Sequence, residues 1–304
     1  MNQPTQPSKP DFSVIPPKIK PRDNFYIPAD LFDAIVLHIA KNSLGFLQAP
    51  LMLILQGPKG EGKSAMTREV CSRIGVNVVA LSGAMLSGVY EKEPILILRD
   101  AYLHASALWE VKNQLVVLLI DDLDTSIAAV HTERRYTVNT QLLNGALMYL
   151  CDDPYHVGEQ PTQRIPVVAT GNDFTTLHEP LTRHGRAQFY DWKPNLAVKV
   201  EIVRKMFDGF IVARELERID QLVKHFNSSP SEPIAFYHAL RNALYDKIIL
   251  QDIHTRRTID IAHLNSLISQ QEVSLAIGDL IELGEQQRNS KPRSYLGEDG
   301  KLGQ

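Results

Sequence analysis

The chain has 304 residues, of which 44% are hydrophobic and 22% charged, with a formal net charge of −3. A chain of this length has room for two domains and buries roughly 75% of its unfolded surface. The charge balance argues against recruitment of nucleic acid or an anionic membrane by global basicity.

Residues 1–24 carry Pro4, Pro7, Pro10, Pro16, Pro17 and Pro21 among several lysines. No core-forming periodicity appears, so this stretch is expected to be a flexible tail, extended where the prolines cluster. Pro28-Ala29-Asp30 is a helix start signal, and Leu31, Ile35, Leu37, Ile39 and Leu44 follow it, predicting a first helix beside the site described next.

Residues 51–55 are wholly apolar and run into Gln56-Gly57-Pro58-Lys59-Gly60-Glu61-Gly62-Lys63-Ser64. A strand entering Gly-x-x-x-x-Gly-Lys-Ser, with a helix leaving it, is a phosphate-binding loop. Gly57, Gly60 and Gly62 let backbone N–H groups turn toward phosphate oxygens with no Cβ in the way. Lys63 is suited to the β- and γ-phosphates, Ser64 to a magnesium ion, and the helix start adds its positive end. A nucleoside triphosphate and Mg2+ are therefore the expected ligands, and the resemblance described below makes the nucleotide ATP.

Ala65 to Ile74 continues as helix until Gly75, and Val76 to Leu81 reads as a strand. A loop of small residues follows, with a Tyr90-Glu91-Lys92 tip. Pro94 suits a first helical position, and Ile95, Leu98, Tyr102, Ala105 and Trp109 keep helical spacing, so Ile95 to Leu98 is assigned to helix rather than strand.

Leu115 to Ile120 is an unbroken apolar run ending in Asp121-Asp122-Leu123-Asp124, the pattern of a central parallel strand with acids at its carboxyl end. Asp121 is expected to hold magnesium and Asp122 to orient an attacking water. Val138, Leu142, Ala146 and Leu150 predict a helix that stops at Asp152-Asp153-Pro154. Arg164 to Thr170 predicts another strand, after which Asn172 can hydrogen-bond water beside the γ-phosphate. Arg183 and Arg186 sit on a glycine-containing turn shortly after, as candidates to stabilise charge on the transferred phosphoryl group.

Past Pro194 the strand patterns vanish. Val198 to Met206, Leu216 to Phe226, Ile234 to Leu250 and Ile259 to Leu283 read as helices, with breaks at residues 227–230 and near Arg256 and Arg257. The expected organisation is a tail over 1–24, an α/β nucleotide-binding domain over 25–194, a small helical lid over 195–286, and a flexible tail or linker over 287–304. Cys71 and Cys151 lie far apart in helical patterns, which favours a reduced compartment. The ten histidines show no metal-ligand spacing, no apolar run approaches ~18 residues, and the amino terminus lacks a signal peptide's order.

Phosphate loop, acidic strand end, sensor Asn, arginine turn and helical lid, in that order, resemble an AAA+ ATPase. Asn24-Phe-Tyr-Ile-Pro28, Gly60-Glu-Gly-Lys-Ser64, Asp122-Leu-Asp124, Tyr136-Thr-Val-Asn139, Thr170-Gly-Asn-Asp-Phe174 and Ala239-Leu-Arg241 narrow the resemblance to Rubisco activase of the green type, over about residues 24–285. The resemblance implies an α/β AAA+ domain with a parallel sheet flanked by helices, followed by an all-helical lid. It implies a homo-oligomeric ring, expected as a hexamer, whose ATP hydrolysis releases inhibitory sugar phosphates from Rubisco. Arg241 then falls on the lid arginine that senses nucleotide. Residues 87–92 with Tyr90, and 127–136 with Tyr136, fall on the pore loops that would contact Rubisco.

The chain departs from the plant pattern at Asp121, where plant activases carry Asn, and at its bulkier pore-loop tip. The absence of a plant-like amino-terminal domain points to a cyanobacterial type, cytoplasmic and with a carboxysome link, with no nucleic-acid or membrane partner. The competing expectations are an AAA+ DNA-replication loader or initiator, which would need a basic strip or helix-turn-helix, and a nucleotide-gated Rubisco-binding scaffold without turnover.

Overall fold

The computed structural model describes residues 12–18, 24–45, 48–87, 93–127, 138–175, 179–183, 185–228, 230–270 and 275–289. They divide into two compact units: residues 27–193 together with the amino-terminal segment to Asp23, and residues from Pro194 onward together with Asn24–Tyr26.

The first unit is built on β1 (Ser13–Ile15), β2 (Met52–Gln56), β3 (Asn77–Ser82), β4 (Val116–Asp121), β7 (Val167–Gly171) and β8 (Ala187–Asp191), in the spatial order β1-β3-β4-β7-β2-β8. β2, β3, β4, β7 and β8 are mutually parallel, and only β1, at one edge, runs antiparallel to its neighbour β3. β5 (His156–Val157) and β6 (Gln160–Pro161) form a separate small hairpin. Val116 to Ile120 and Leu53 are wholly buried, as befits strands covered on both faces, where no alternation of polar residues survives.

Around the sheet lie α1 (Ala29–Ser43), α2 (Lys63–Arg73), α3 (Glu93–Lys112), the single turn α4 (Asp124–Ile127) and α5 (Val138–Asp152). α1 starts directly after Pro28 and buries Leu31, Ile35, His38, Ile39 and Asn42, one stripe at helical spacing. Ile95 to Leu98 lies inside α3, whose buried face continues through Ala101, Tyr102, Ala105 and Leu108. Gly83–Ser87 forms a 3-10 turn after β3.

Several elements depart from expectation, the hairpin of β5 and β6 among them. Ser13–Ile15, in the stretch taken for a flexible tail, is a paired edge strand; prolines flank it, and only an edge tolerates their missing N–H groups. β8 was not anticipated either. Ile259 to Leu283, read as one helical stretch, spans two helices, Ile261–Gln270 and Ile277–Asn289, and the second runs into the start of the expected tail.

The second unit holds α6 (Leu196–Phe207), α7 (Ala213–Leu216), α8 (Ile219–Phe226), α9 (Ile234–Arg256), α10 (Ile261–Gln270) and α11 (Ile277–Asn289). The Asn195 carboxamide caps α6 by accepting Val198 N–H at 3.0 Å. α9 ends at Arg257, which takes the left-handed conformation. Phe207, Phe226, Tyr237, Leu240 and Leu280 form its buried centre. Among the described residues no helix is long and apolar enough to cross a membrane.

Candidate nucleotide site

The carboxyl ends of three adjacent strands, β4, β7 and β2, carry the acidic turn, the sensor turn and the phosphate loop respectively. This places every candidate of those three segments along one edge of the sheet, where open α/β sheets bind ligands.

Gly57 leaves β2 with φ +152°, and a Cβ there would lie 1.9 Å from the carbonyl oxygen of Trp192. Only glycine fits that approach. Trp192 follows β8 and braces the loop at two points. Its N–H donates to Gln56 O at 2.7 Å and its indole Nε1–H to Glu61 O at 2.7 Å. Gly60 and Gly62 also adopt positive φ, and Gly62 is the N-cap of α2. Pro58 and Lys59 are exposed at the outside of the loop, whereas Glu61 and Lys63 are buried.

The Lys63 ammonium donates to Gly57 O at 2.7 Å, Pro58 O at 3.0 Å and Asn172 Oδ1 at 3.2 Å. It thereby joins the phosphate loop to the sensor turn. Burial lowers its pKa, and the nearby charges of Asp122, Asp124 and Glu61 oppose that shift.

Thr170, at the end of β7, connects the remaining groups. Its hydroxyl lies 3.2 Å from Ser64 Oγ, donates to Asp121 Oδ1 at 3.4 Å, and accepts Asp122 N–H at 3.2 Å. Asp121 also pairs with the Arg68 guanidinium from α2. Burial raises the Asp121 pKa, against the hydrogen bond from Ser64 and the charge of Arg68. Asp122 is exposed with φ +53°, a left-handed conformation that Asp tolerates better than most residues.

A hydroxyl and a carboxylate joined through Thr170 are hard oxygen donors suited to magnesium. Among the described residues no three His, Cys, Asp or Glu side chains cluster as a metal cage. Ser64 and Asp121 therefore fit an ion whose other ligands come from phosphate oxygens and water.

Arg183 and Arg186 are not brought to this edge. Arg186 O accepts Met52 N–H at 3.1 Å, which fixes their turn at the amino end of β2 and β8. The phosphate loop leaves the opposite end of β2, five residues away, roughly 17 Å at about 3.3 Å per residue. Arg186 is committed there. Its Nε and NH2 donate to the two oxygens of Asp152 at 2.7 and 2.6 Å, and NH1 donates to Pro180 O at 2.8 Å. Arg183 is exposed, and among the described residues its side chain has no hydrogen-bond or ion-pair partner.

Arg241 belongs to the helical unit. It donates to Tyr245 OH at 2.9 Å and lies over the Phe210 ring, 5.4 Å from its centroid, while its Nε is buried without a partner. Tyr90 and Tyr136 lie outside the described residues. Cys71 and Cys151 are free, and burial pushes both thiols up to about 12.

Trp192 carries no motif that would mark it as part of a phosphate-binding site. Its one sequence signal was the aromatic run Phe189-Tyr190-Asp191-Trp192, which is strand-prone but lacks an apolar-polar alternation. Asp124, the last residue of the acidic turn, is also a contact of the sensor turn.

Residues 53–194 match the model of the ATPase family associated with various cellular activities (AAA). A ribulose bisphosphate carboxylase/oxygenase activase of a Nostoc species is 36% identical over 285 residues, which cover 87% of this chain and 67% of the relative. An activase of an Anabaena species is 35% identical, covering 76% of this chain and 56% of the relative. The chloroplastic activase of Phaseolus vulgaris is 35% identical, covering 74% and 52%. The chain thus matches about two thirds of the Nostoc relative's length and little more than half of the other two.

Proposed function

Since the chain belongs to the Rubisco activase family of AAA ATPases, we propose that it is the ATP-driven remodelling protein that frees Rubisco of inhibitory sugar phosphates. It would act in the cytoplasm, with a carboxysome link, as a homo-oligomeric ring, a hexamer in our reading. The observation that carries the proposal is the Lys63 ammonium bridging the loop carbonyls of Gly57 and Pro58 to Asn172 Oδ1. It joins the group that would contact phosphate to the group that would contact water.

In this reading the loop from Gly57 to Ser64 binds the triphosphate through its N–H groups and Lys63. Bound magnesium would be held by Ser64 and Asp121 and would neutralise charge on the β- and γ-phosphates. Asp122 orients the attacking water, and Asn172 hydrogen-bonds it. Arg241 of the helical unit serves as the lid arginine that senses nucleotide. Tyr90 and Tyr136 face Rubisco from the pore loops. The retention of Lys63, Asp121 and Asp122 together supports turnover over a scaffold role. The activase relatives give no support to the DNA-loader alternative.

The arginine turn contributes across the ring. At the amino edge of its own sheet Arg183 is too far from its own phosphate loop, so it acts on a neighbour's nucleotide, with Arg186 and Asp152 holding the turn rigid.

The test is ATP turnover measured beside reactivation of sugar-phosphate-inhibited Rubisco. Both should be present in the wild type and both lost in Lys63→Ala. Turnover without reactivation of any Rubisco form offered would reject the remodelling role while leaving the ATPase intact.

A further inference from the structure

We propose that Asp124 is the positioning residue of the sensor turn, its carboxylate fixing the backbone that aims the Asn172 carboxamide. This rests on the reading of Asn172 as the group beside the reacting phosphoryl.

Asp124 opens α4 and is buried. Its Oδ2 accepts the N–H of Asn172 at 2.8 Å and that of Asp173 at 3.3 Å. Both amides lie past Gly171, the last residue of β7 paired with β2, so the sheet ladder provides them no acceptor. A carboxylate taking two successive N–H groups fixes the orientation of the chain between them, and charge-assisted bonds of this kind are the strong ones.

The acidic turn is itself held to β7, because Leu123 N–H donates to Thr170 O at 2.8 Å. Contact is close enough to require Gly171: a Cβ there would lie 2.8 Å from Asp124 Oδ1 and 2.5 Å from the Phe174 ring. The carboxylate therefore packs straight onto the strand end, with no side chain between.

Two details favour a role beyond holding the fold. Asp124 Oδ1 is buried without a hydrogen-bond partner. Structure alone would be served more cheaply by a neutral acceptor than by a buried charge with one oxygen unsatisfied. The turn that Asp124 holds also presents Asn172 Oδ1 to Lys63 Nζ at 3.2 Å. Asp124, Asn172 and Lys63 thus form one chain from the acidic turn through the sensor to the phosphate loop. A slack sensor turn would misplace a water-orienting amide while leaving the loop's grip on nucleotide intact.

The experiment is a double-mutant cycle on the full chain with Asp124→Ala, Asn172→Ala and their combination, together with Asp124→Asn. The readouts are kcat, KM for ATP, ADP affinity by calorimetry, and Tm. Each single alanine variant should lower kcat by about 10²-fold, the order expected for a misplacement near 1 Å. KM and ADP affinity should stay within about threefold. The double variant should fall no more than about threefold below the slower single, because both remove one function. Asp124→Asn keeps an acceptor oxygen but loses the charge, and should recover only part of the lost rate. If Asp124→Ala does not fold, the same non-additivity is sought between Asp124→Asn and Asn172→Ala. Additive losses, or a wild-type kcat in Asp124→Ala beside a slowed Asn172→Ala, would overturn the proposal. A wild-type kcat in Asn172→Ala removes the reading of Asn172 itself, and with it this proposal.

Discussion

The two edges of the six-stranded sheet are furnished in opposite ways. At the carboxyl edge acids and one buried lysine converge, and their polar atoms are tied to one another: Lys63 to Asn172, Asp121 to Thr170 and Arg68, Asp124 to the sensor backbone. At the amino edge the charge is positive and unevenly committed. Arg164 is buried against neutral acceptors, Asn42 Oδ1 at 2.8 Å and Ala49 O at 2.7 Å; Arg186 is locked to Asp152; Arg183 is exposed. In the proposed reading, a phosphoryl group at the carboxyl edge meets a lysine, acids and a carboxamide from its own sheet, but neither arginine of the turn after the sensor strand. Arg183, whose guanidinium is unpaired among the described residues, sits about a strand's length away. A second copy of the chain is the economical way to bring the two together.

The sharpest way to break this comparison is to treat the two arginines alike. Arg183→Ala should cut kcat by 10³-fold or more, the range of trans-acting arginines, with Tm unchanged. Arg186→Ala should lower Tm as well as kcat, because it frees a turn held by three hydrogen bonds. Mixing Arg183→Ala with Lys63→Ala subunits should restore some turnover, since an intact loop then meets an intact arginine at some interfaces. Two inactive parents giving an inactive mixture, with co-assembly demonstrated, would rule out the shared site.

How much of this was legible from residues alone follows the same division. The phosphate loop, the acidic turn and the sensor turn each lie within a few consecutive residues after an apolar run, so local pattern sufficed. The groups that support them come from afar. Trp192 braces Gly57 across more than a hundred residues, and β8 carries it on an edge strand whose exposed Gln188 and Phe189 break any alternating pattern. β1 is three residues long and exists only because β3 offers an open edge. The distinction between Arg183 and Arg186 depends on Asp152, which arrives from the end of α5. Spacing in sequence carried no trace of it.

A second prediction concerns the frame at the amino edge. His38 Nε2 bonds Val167 O at 3.0 Å, and burial lowers its pKa to about 4, helped by the charges of Arg164 and Lys41. The folded state therefore favours neutral His38. Its contribution to stability is complete above the unfolded value of 6.5 and is lost as pH falls toward 4. Between pH 7.5 and pH 5 that amounts to about 2 kcal/mol. His38→Gln keeps a donor for Val167 O and removes the titration, so its urea midpoint should fall less over that interval. Equal pH slopes in the two proteins would show that His38 is not the buried neutral base of this frame.

The smallest expected effect lies at an ion pair of the carboxyl edge that is partly open to solvent, Arg68 with Asp121. Side-chain exposures are 42% and 14%, so screening limits the pair to the range of surface bridges, about 1 kcal/mol at most. Yet it occupies the carboxylate assigned to magnesium, so a guanidinium and a divalent ion compete for the same charge. Removing the guanidinium should favour the ion. Arg68→Ala is expected to lower the Mg2+ concentration giving half-maximal binding of a fluorescent ATP analogue by a few-fold, the factor that about 1 kcal/mol allows. Arg68→Lys should lie between that variant and the wild type, because its ammonium keeps the charge without the planar fork. Turnover at saturating Mg2+ should hardly change, since among the described residues Arg68 has no partner in the loop or sensor groups. If Arg68→Ala instead raised the Mg2+ requirement, the pair would be holding Asp121 in place for the ion rather than competing with it. Arg68 would then join Asp124 and Trp192 among the groups that brace this edge.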